Sequence, residues 1–453
     1  MMQLLKSLIE TGKPPVPTRP VGQSGGLESV LLDFWTADSR GRKIKIPWTL
    51  REALPGVLVF GNSGSGRTSG PGKTIAAALL RSGMGGLVLC SKIEEADEWQ
   101  TLAEAAGRSE DVIRITLAGP YRLNLLDYEN SHSGANTESI VELLLLLAEV
   151  ANGGERRQDE WQDFARTNLR NAVDLLRLAG EPIEINALFE LATKPKAFDL
   201  IHQKAKARQL SDCQADDLAV CADYWARIWP TMPSEMRSRI EGTVRYLLDP
   251  LLRGEMRELF STDTTITPEA TFAGKIIVVD LPTQKSQIFG KLANVAWKLA
   301  WQSAIERRGS AGVARPAFLW ANSYQKFATS NDGEFCRTAR IAGGLMVLLT
   351  NGVSALSLTF GCGEEGRASV GRLLGNFSTQ IFCRNWDMGT NKWAKELIGR
   401  RSEQRDFIVE ENYFTSLSSG GPKNNCVVTA VLYTGRPLPP FAKMCQQVAF
   451  KQS

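Results

Sequence analysis

The clearest chemical signal in this chain is the eight-residue stretch GNSGSGRT, residues 61–68. A glycine-rich run of the form G-x-x-x-x-G-K-[ST], set between a strand and a helix, turns backbone N–H groups toward the phosphates of a nucleotide. The helix N-terminus behind it favours their negative charge. The apolar run VLVF (57–60) abuts Gly61, and TIAAALLRSG (74–83) reads as the helix. ATP is the expected ligand. Gly61, Asn62, Ser63, Gly64, Ser65, Gly66, Arg67, Thr68 and Ser69 would line it, and the Thr68 hydroxyl would face Mg²⁺. One residue departs from the pattern. Arg67 stands where a lysine normally reaches the β- and γ-phosphates, and a bulky, planar guanidinium does not replace an ammonium cleanly. A second register, Gly72-Lys73-Thr74, supplies the lysine, but its upstream glycine would fall on Arg67 and its strand is then too distant. The plain alternative is a glycine-rich turn without a ligand.

Hydrolysis also needs an acid on a second strand to hold magnesium, followed by one that polarises water. The place for the pair is FLWANSYQKF (318–327), where Asn322 and Ser323 occupy it and neither is a carboxylate. The strand IIVVD ends at Asp280, a second candidate for magnesium. Its plain alternative is a strand-end aspartate leading into the Leu281-Pro282 turn.

The elements that must position these residues are readable. A chain of 453 residues is too long for one ordinary domain, and 43% hydrophobic with 23% charged residues suits a soluble globular protein. With 53 Lys and Arg against 49 Asp and Glu, the net charge of +4 permits a nucleic-acid partner without arguing for one. GRKIK (41–45) and RRSEQR (400–405) read as solvated surface before phosphate contacts. Eight scattered cysteines, no C-x-x-C and two histidines argue against a zinc or iron–sulfur site and for free thiols. The most apolar stretch, IVELLLLLAEVA (140–151), contains Glu142 and Glu149 and is too short to span a bilayer, so it reads as a buried helix.

The expected organisation is an arm or linker over 1–46 and the first part of an α/β nucleotide-binding domain over 47–136. An all-α insertion follows over 137–262, and the α/β domain is completed over 263–453. Strands are expected at GLVLC (86–90), KIIVVDLP (275–282), AFLWA (317–321), LMVLLT (345–350), TQIFC (379–383) and CVVTAVLY (426–433). The Trp-rich YWARIWP (224–230) reads as core or as an inter-domain contact.

The order and spacing of several segments carry a resemblance. They are PWTLREA (47–53), the glycine loop, GGLVLCSKIEEADEW (85–99), GPYRLNLLDY (119–128), GKIIVVDLP (274–282), FLWANSYQKF, TARIAGGLMVLLTN (338–351) and LLGNFSTQIF (373–382). Over most of 47–400 the chain resembles the TraG/TraD-type coupling ATPases of conjugative type IV secretion, relatives of the FtsK and HerA motors. The resemblance implies a RecA-like P-loop sheet flanked by helices, with the inserted all-α domain. It further implies a hexameric ring around DNA with ATP between subunits, and relaxase or secretion-machinery partners. The expected location is the cytoplasm, with attachment to the inner membrane through partners, since the anchor common in the family has no counterpart here. By match to family motifs, Asn322 and Ser323 replace the acid pair, and Asn351 replaces a glutamine that senses the γ-phosphate. Arg340 sits where an arginine reaches the neighbouring subunit's site. Four departures at catalytic positions imply impaired hydrolysis with nucleotide binding kept. The alternatives are an active DNA-translocating ATPase that uses Lys73 and Asp280, or a non-catalytic scaffold for DNA or a partner.

Overall fold

The computed structural model describes residues 26–37, 40–132, 137–151, 160–194, 196–309, 315–361, 363–400, 406–438 and 443–452. They divide into two compact units. One takes the chain up to residue 115 and again from 268; the other is residues 116–267.

The first unit is built on an eleven-stranded sheet. Its strands are β1 (Val30–Ala37), β2 (Lys43–Thr49), β3 (Val57–Phe60), β4 (Gly85–Leu89), β5 (Val112–Ile115) and β6 (Ile276–Val279). They continue with β7 (Ala317–Asn322), β8 (Gly344–Thr350), β9 (Thr379–Phe382), β10 (Val427–Leu438) and β11 (Lys443–Lys451). The order is β2-β1-β11-β10-β9-β3-β8-β7-β4-β6-β5. From β9 to β5 every pair is parallel. Strands such as VLVF, IIVV and GLMVLLT are buried along their whole length. A parallel sheet covered on both faces by helices demands such uninterrupted apolar runs. The C-terminal ends of β3, β8 and β7 therefore lie side by side, and they carry Gly61, Asn351 and Asn322.

The other four strands are antiparallel and extend the sheet beyond β9. Two of them fall within or across the segment expected to be an arm over 1–46. β1 and β2 pair with each other, and Phe34, Ile46 and Trp48 are buried. Alternating burial along β1 and the Trp48 Nε1 hydrogen bond to Thr379 Oγ1 (3.2 Å) tie this hairpin to the core. The GRKIK lysines are partly engaged there, with Lys43 and Lys45 Nζ 3.8 and 5.0 Å from the centre of the Trp35 ring. Of RRSEQR, residues 401–405 lie outside the described residues.

The second unit is helical and wider than the 137–262 expected. Residues 116–132 and 263–267 join it because they pair with each other and with its last helix. Leu123 N–H donates to Leu259 O (2.9 Å), Thr265 N–H to Arg122 O (3.0 Å) and Asn124 Nδ2 to Thr262 O (2.9 Å). Helices Thr137–Ala151, Glu160–Ala179 and Ser234–Leu252 bury Leu144, Leu169, Leu176 and Leu247. Tyr224, Trp225 and Trp229 are buried within this unit, with ring centres 5.0 Å apart for the first pair and 5.8 Å for the two indoles. Among the described residues no helix is long and apolar enough to cross a membrane.

Candidate functional site

The strand β3 ends at Phe60, residues 61–67 form a loop, and helical backbone begins at Thr68. Its first turn, Thr68–Gly72, is π-helical. Pro71 explains this. It has no N–H to give to the Arg67 carbonyl, so the next residue gives it instead, from Gly72 N–H at 3.0 Å. Gly64 and Gly66 have φ of 74° and 80°, the left-handed values that turn N–H groups inward. A Cβ on Gly66 would lie 2.4 Å from a methyl of Val428 and 2.7 Å from Ser419 O. One side of the loop thus rests on β10. The tail adds a further tie, as Gln452 Nε2 donates to Ser69 Oγ at 2.6 Å. Around the second register the backbone is already helical from Thr68 onward. Lys73 opens the α-helix Lys73–Arg81, and the Thr74 hydroxyl is spent on Gly70 O at 2.9 Å.

Arg67 turns into the protein. Its Nη1 donates to Gly61 O (2.6 Å) and Asn351 Oδ1 (2.8 Å), and its Nη2 reaches Asn322 Oδ1 at 3.4 Å. The residue is 8% exposed, and Nε, also buried, has no partner. Burial pushes the guanidinium pKa down to about 10, against opposing effects of Cys383 and Glu95. It remains charged at neutral pH. Arg67 therefore ties Asn322 and Asn351 together.

Asn322 also faces the other way. Its Nδ2 donates to Glu95 Oε1 at 2.7 Å. Glu95, 5% exposed, opens the helix Glu95–Ala105 and reaches back to the end of β4, accepting from Ser91 N–H (2.6 Å) and Lys92 N–H (3.2 Å). Burial raises its pKa, and the Ser91, Lys92 and Asn322 hydrogen bonds partly offset the rise. Sequence reasoning missed Glu95. The available signal was an acid four residues after the serine that follows an apolar strand. Thr68, Lys73, Glu95, Glu98 and Asn322 line a cavity of about 20 Å³, room for about one water molecule.

Ser323 is buried and left-handed at φ 58°, ψ 45°, a conformation costing a non-glycine residue roughly 1–2 kcal/mol. A fully buried network lies just beyond it. Lys298 Nζ meets both Asp332 oxygens at 2.7 Å and Phe327 O at 2.8 Å, while Tyr324 OH donates to Asp332 at 2.5 Å. Both charged side chains are 0% exposed. This pair clamps the turn after β7 and so over-determines Ser323.

Two candidates are not brought to the loop. Asp280 ends β6, four strand positions from β3, about 19 Å at ~4.8 Å per strand. Its carboxylate pairs with Arg114 at 2.6 Å. That sheet order sets Asp280, expected as a weak magnesium ligand, apart from the loop. Arg340 is exposed at the end of the helix Asp332–Ala339 and precedes β8. It is therefore separated from Asn351 by the length of that strand, about 20 Å at ~3.3 Å per residue, and takes no part in its own chain's loop.

The glycines and the helix start behind them suit a polyphosphate, whereas the Arg67 cation is spent on Gly61, Asn351 and Asn322. For Mg²⁺ the site offers the Thr68 hydroxyl and the Glu95 carboxylate, with no carboxylate at 322 or 323. Among the described residues no group of three or more His, Cys, Asp or Glu is placed to hold a metal ion.

No protein-family model matches the chain, and no curated protein matches it in sequence. Solved structures do. The unbound bacterial conjugative coupling protein TrwB is 15% identical over all of this chain and 91% of its own, with a TM-score of 0.61. TrwB with ADP and Mg²⁺ gives 14% identity, the same two coverages and 0.58. VirB4 of Thermoanaerobacter pseudethanolicus gives 11%, 94% and 96% coverage, and 0.54. At such identities the likeness speaks to architecture alone, and what it shows for this chain is the α/β fold that it shares with the coupling protein TrwB and with VirB4.

Proposed function

We propose that this chain is a nucleotide-binding, coupling-protein-like component of DNA conjugation whose hydrolysis is impaired. The observation that carries this reading is the inward lock of Arg67 onto Gly61, Asn351 and Asn322. The cation that should follow the γ-phosphate is held by the protein, and the two positions that should be acids are an amide and a hydroxyl. Phosphoryl transfer depends on positioned charge, where one arginine finger alone changes rates by about 10³–10⁵. The ligand class is supported by TrwB, whose solved structures hold ADP with Mg²⁺ and analogues of GTP and ATP. On this reading the protein binds a purine nucleoside triphosphate with Mg²⁺ and assembles with copies of itself as a ring, with Arg340 facing a neighbour. It engages DNA and secretion partners from the cytoplasmic side of the inner membrane. The test is steady-state ATP turnover by the purified protein, with and without single- and double-stranded DNA, against Arg67→Ala. No turnover above that control is expected. A DNA-stimulated rate near ~1 s⁻¹ overturns the reading.

A second reading is favoured by the Asn322–Glu95 hydrogen bond. It is a rewired ATPase in which Glu95 carries the negative charge missing from β7 and Lys73 borders the same cavity. It requires turnover in the parent that Glu95→Gln abolishes.

A further inference from the structure

Trp386 is 56% exposed, yet its backbone is held from several sides. Its N–H donates to Oδ1 of Asn62, the second residue of the glycine loop, at 2.5 Å. Before it, Asn385 N–H donates to Phe414 O (3.2 Å) and Asn385 Nδ2 to Asn351 O (3.1 Å). After it, Asp387 N–H donates to Asn385 Oδ1 (2.8 Å), and the Asp387 carboxylate caps the helix Met388–Ile398 through Thr390 N–H (3.0 Å). The Arg384 guanidinium lies over the indole, 4.8 Å from its centre. A large ring left in water on a backbone this tightly fixed serves recognition better than packing.

We propose that Trp386 is the platform on which the base of a bound nucleotide stacks, on the indole face opposite Arg384. The inference rests on the reading that residues 61–68 take the phosphates. Trp386 is bonded to the loop itself, so its position relative to bound phosphates is set, and the base lies one ribose beyond them. The Asn385 amide is already spent on Asn351 O and Asp387 N–H. Recognition therefore uses the π-face, which accepts adenine and guanine alike and holds the smaller pyrimidines less well.

Calorimetric titration of the full chain with a non-hydrolysable ATP analogue, and separately with inorganic tripolyphosphate, tests this in the parent, Trp386→Ala and Trp386→Phe. The Asn62 bond uses the backbone N–H and survives both substitutions. Trp386→Ala is expected to weaken the analogue by about 10- to 100-fold, the effect of losing one stacked base, while tripolyphosphate affinity stays within about 2-fold and Trp386→Phe recovers most of the loss. If the parent binds both ligands and Trp386→Ala holds the analogue within about 3-fold of the parent, less than one stacked base is worth, the stacking role is overturned and the phosphate reading stands. If the parent binds neither ligand, both readings fall.

Discussion

The guanidinium of Arg67 donates to Oδ1 of Asn351 across 2.8 Å, joining positions 284 residues apart in the chain. A cation larger than lysine meets an amide one methylene shorter than glutamine. The buried charge thereby gains an acceptor beside Gly61 O and Asn322 Oδ1.

Removing either partner should therefore cost stability. Arg67→Ala deprives Gly61 O, Asn351 Oδ1 and Asn322 Oδ1 of a donor, and a loss of about 1–3 kcal/mol is expected in urea unfolding. Asn351→Ala should cost less, and the double variant less than the sum of the two. Strict additivity would show that the two residues do not act as a pair.

Restoring an acid at position 322 alone should fail. In Asn322→Asp a carboxylate replaces the amide that now donates to Glu95 Oε1 at 2.7 Å. Two carboxylates that close cannot both ionise, so one proton is retained and the native state weakens at neutral pH. Adding Glu95→Gln should recover the loss. Thermal unfolding of the two variants near pH 7 checks this, and an Asn322→Asp protein as stable as the parent would refute it.

The pH dependence of Glu95 has a definite sign. Burial holds its folded pKa above the ordinary 4.5. As pH rises through the window between these values, the unfolded chain has lost its proton and the native chain has not, so native stability falls. Denaturant titrations should show the parent's stability relative to Glu95→Gln declining as pH rises from about 4.5 and levelling above the folded pKa. A relative stability that climbs over that range would contradict the assignment.

The two loop glycines should respond differently to alanine. Both have positive φ, but a Cβ on Gly64 meets nothing within 4 Å, whereas on Gly66 it strikes Val428 at 2.4 Å. Gly64→Ala should cost roughly 1–2 kcal/mol from backbone strain alone. Gly66→Ala should cost more and also abolish tripolyphosphate binding, read by calorimetry.

The clamp behind Ser323 offers another contrast. Burial alone would raise the Asp332 pKa, yet Lys298 and its hydrogen bonds hold it below the ordinary value. Lys298→Ala leaves a buried, unpaired carboxylate and should cost about 3–5 kcal/mol in thermal unfolding. Lys298→Met with Asp332→Leu should lie much closer to the parent, because no charge is then stranded.

Most of the parallel core was legible because strands buried on both faces spell themselves as unbroken apolar runs, whereas the edge strand β5, VIRI and only partly buried, was not foreseen. The strand before the glycine loop was legible because VLVF is an unbroken apolar run ending at Gly61. The antiparallel hairpin at 30–49 was hidden by a Pro- and Gly-rich lead-in and by strands that alternate polar and apolar residues. Glu95 and Asp280 show the larger limit. Each is an acid near the end of an apolar strand, and nothing local distinguishes them. Sheet order does, since β4 lies next to β7 while β6 is one strand further out. That order is set by pairings between distant parts of the chain, such as the one that brings Asn322 to Glu95, 227 residues apart.

The support of the glycine loop by Val428 and Gln452 has a consequence for the order of synthesis. Residues 61–68 leave the ribosome early, but the side chain against Gly66 and Gly70 belongs to β10, and the partner of Ser69 is residue 452. β1 likewise finds its second neighbour only when β11 exists, with Trp35 opposite Ala449. Contacts at such separation close late. A nascent chain halted anywhere before residue 428 carries the loop's full sequence without the surface that holds its shape, so the competence of this loop is conferred by residues translated long after it.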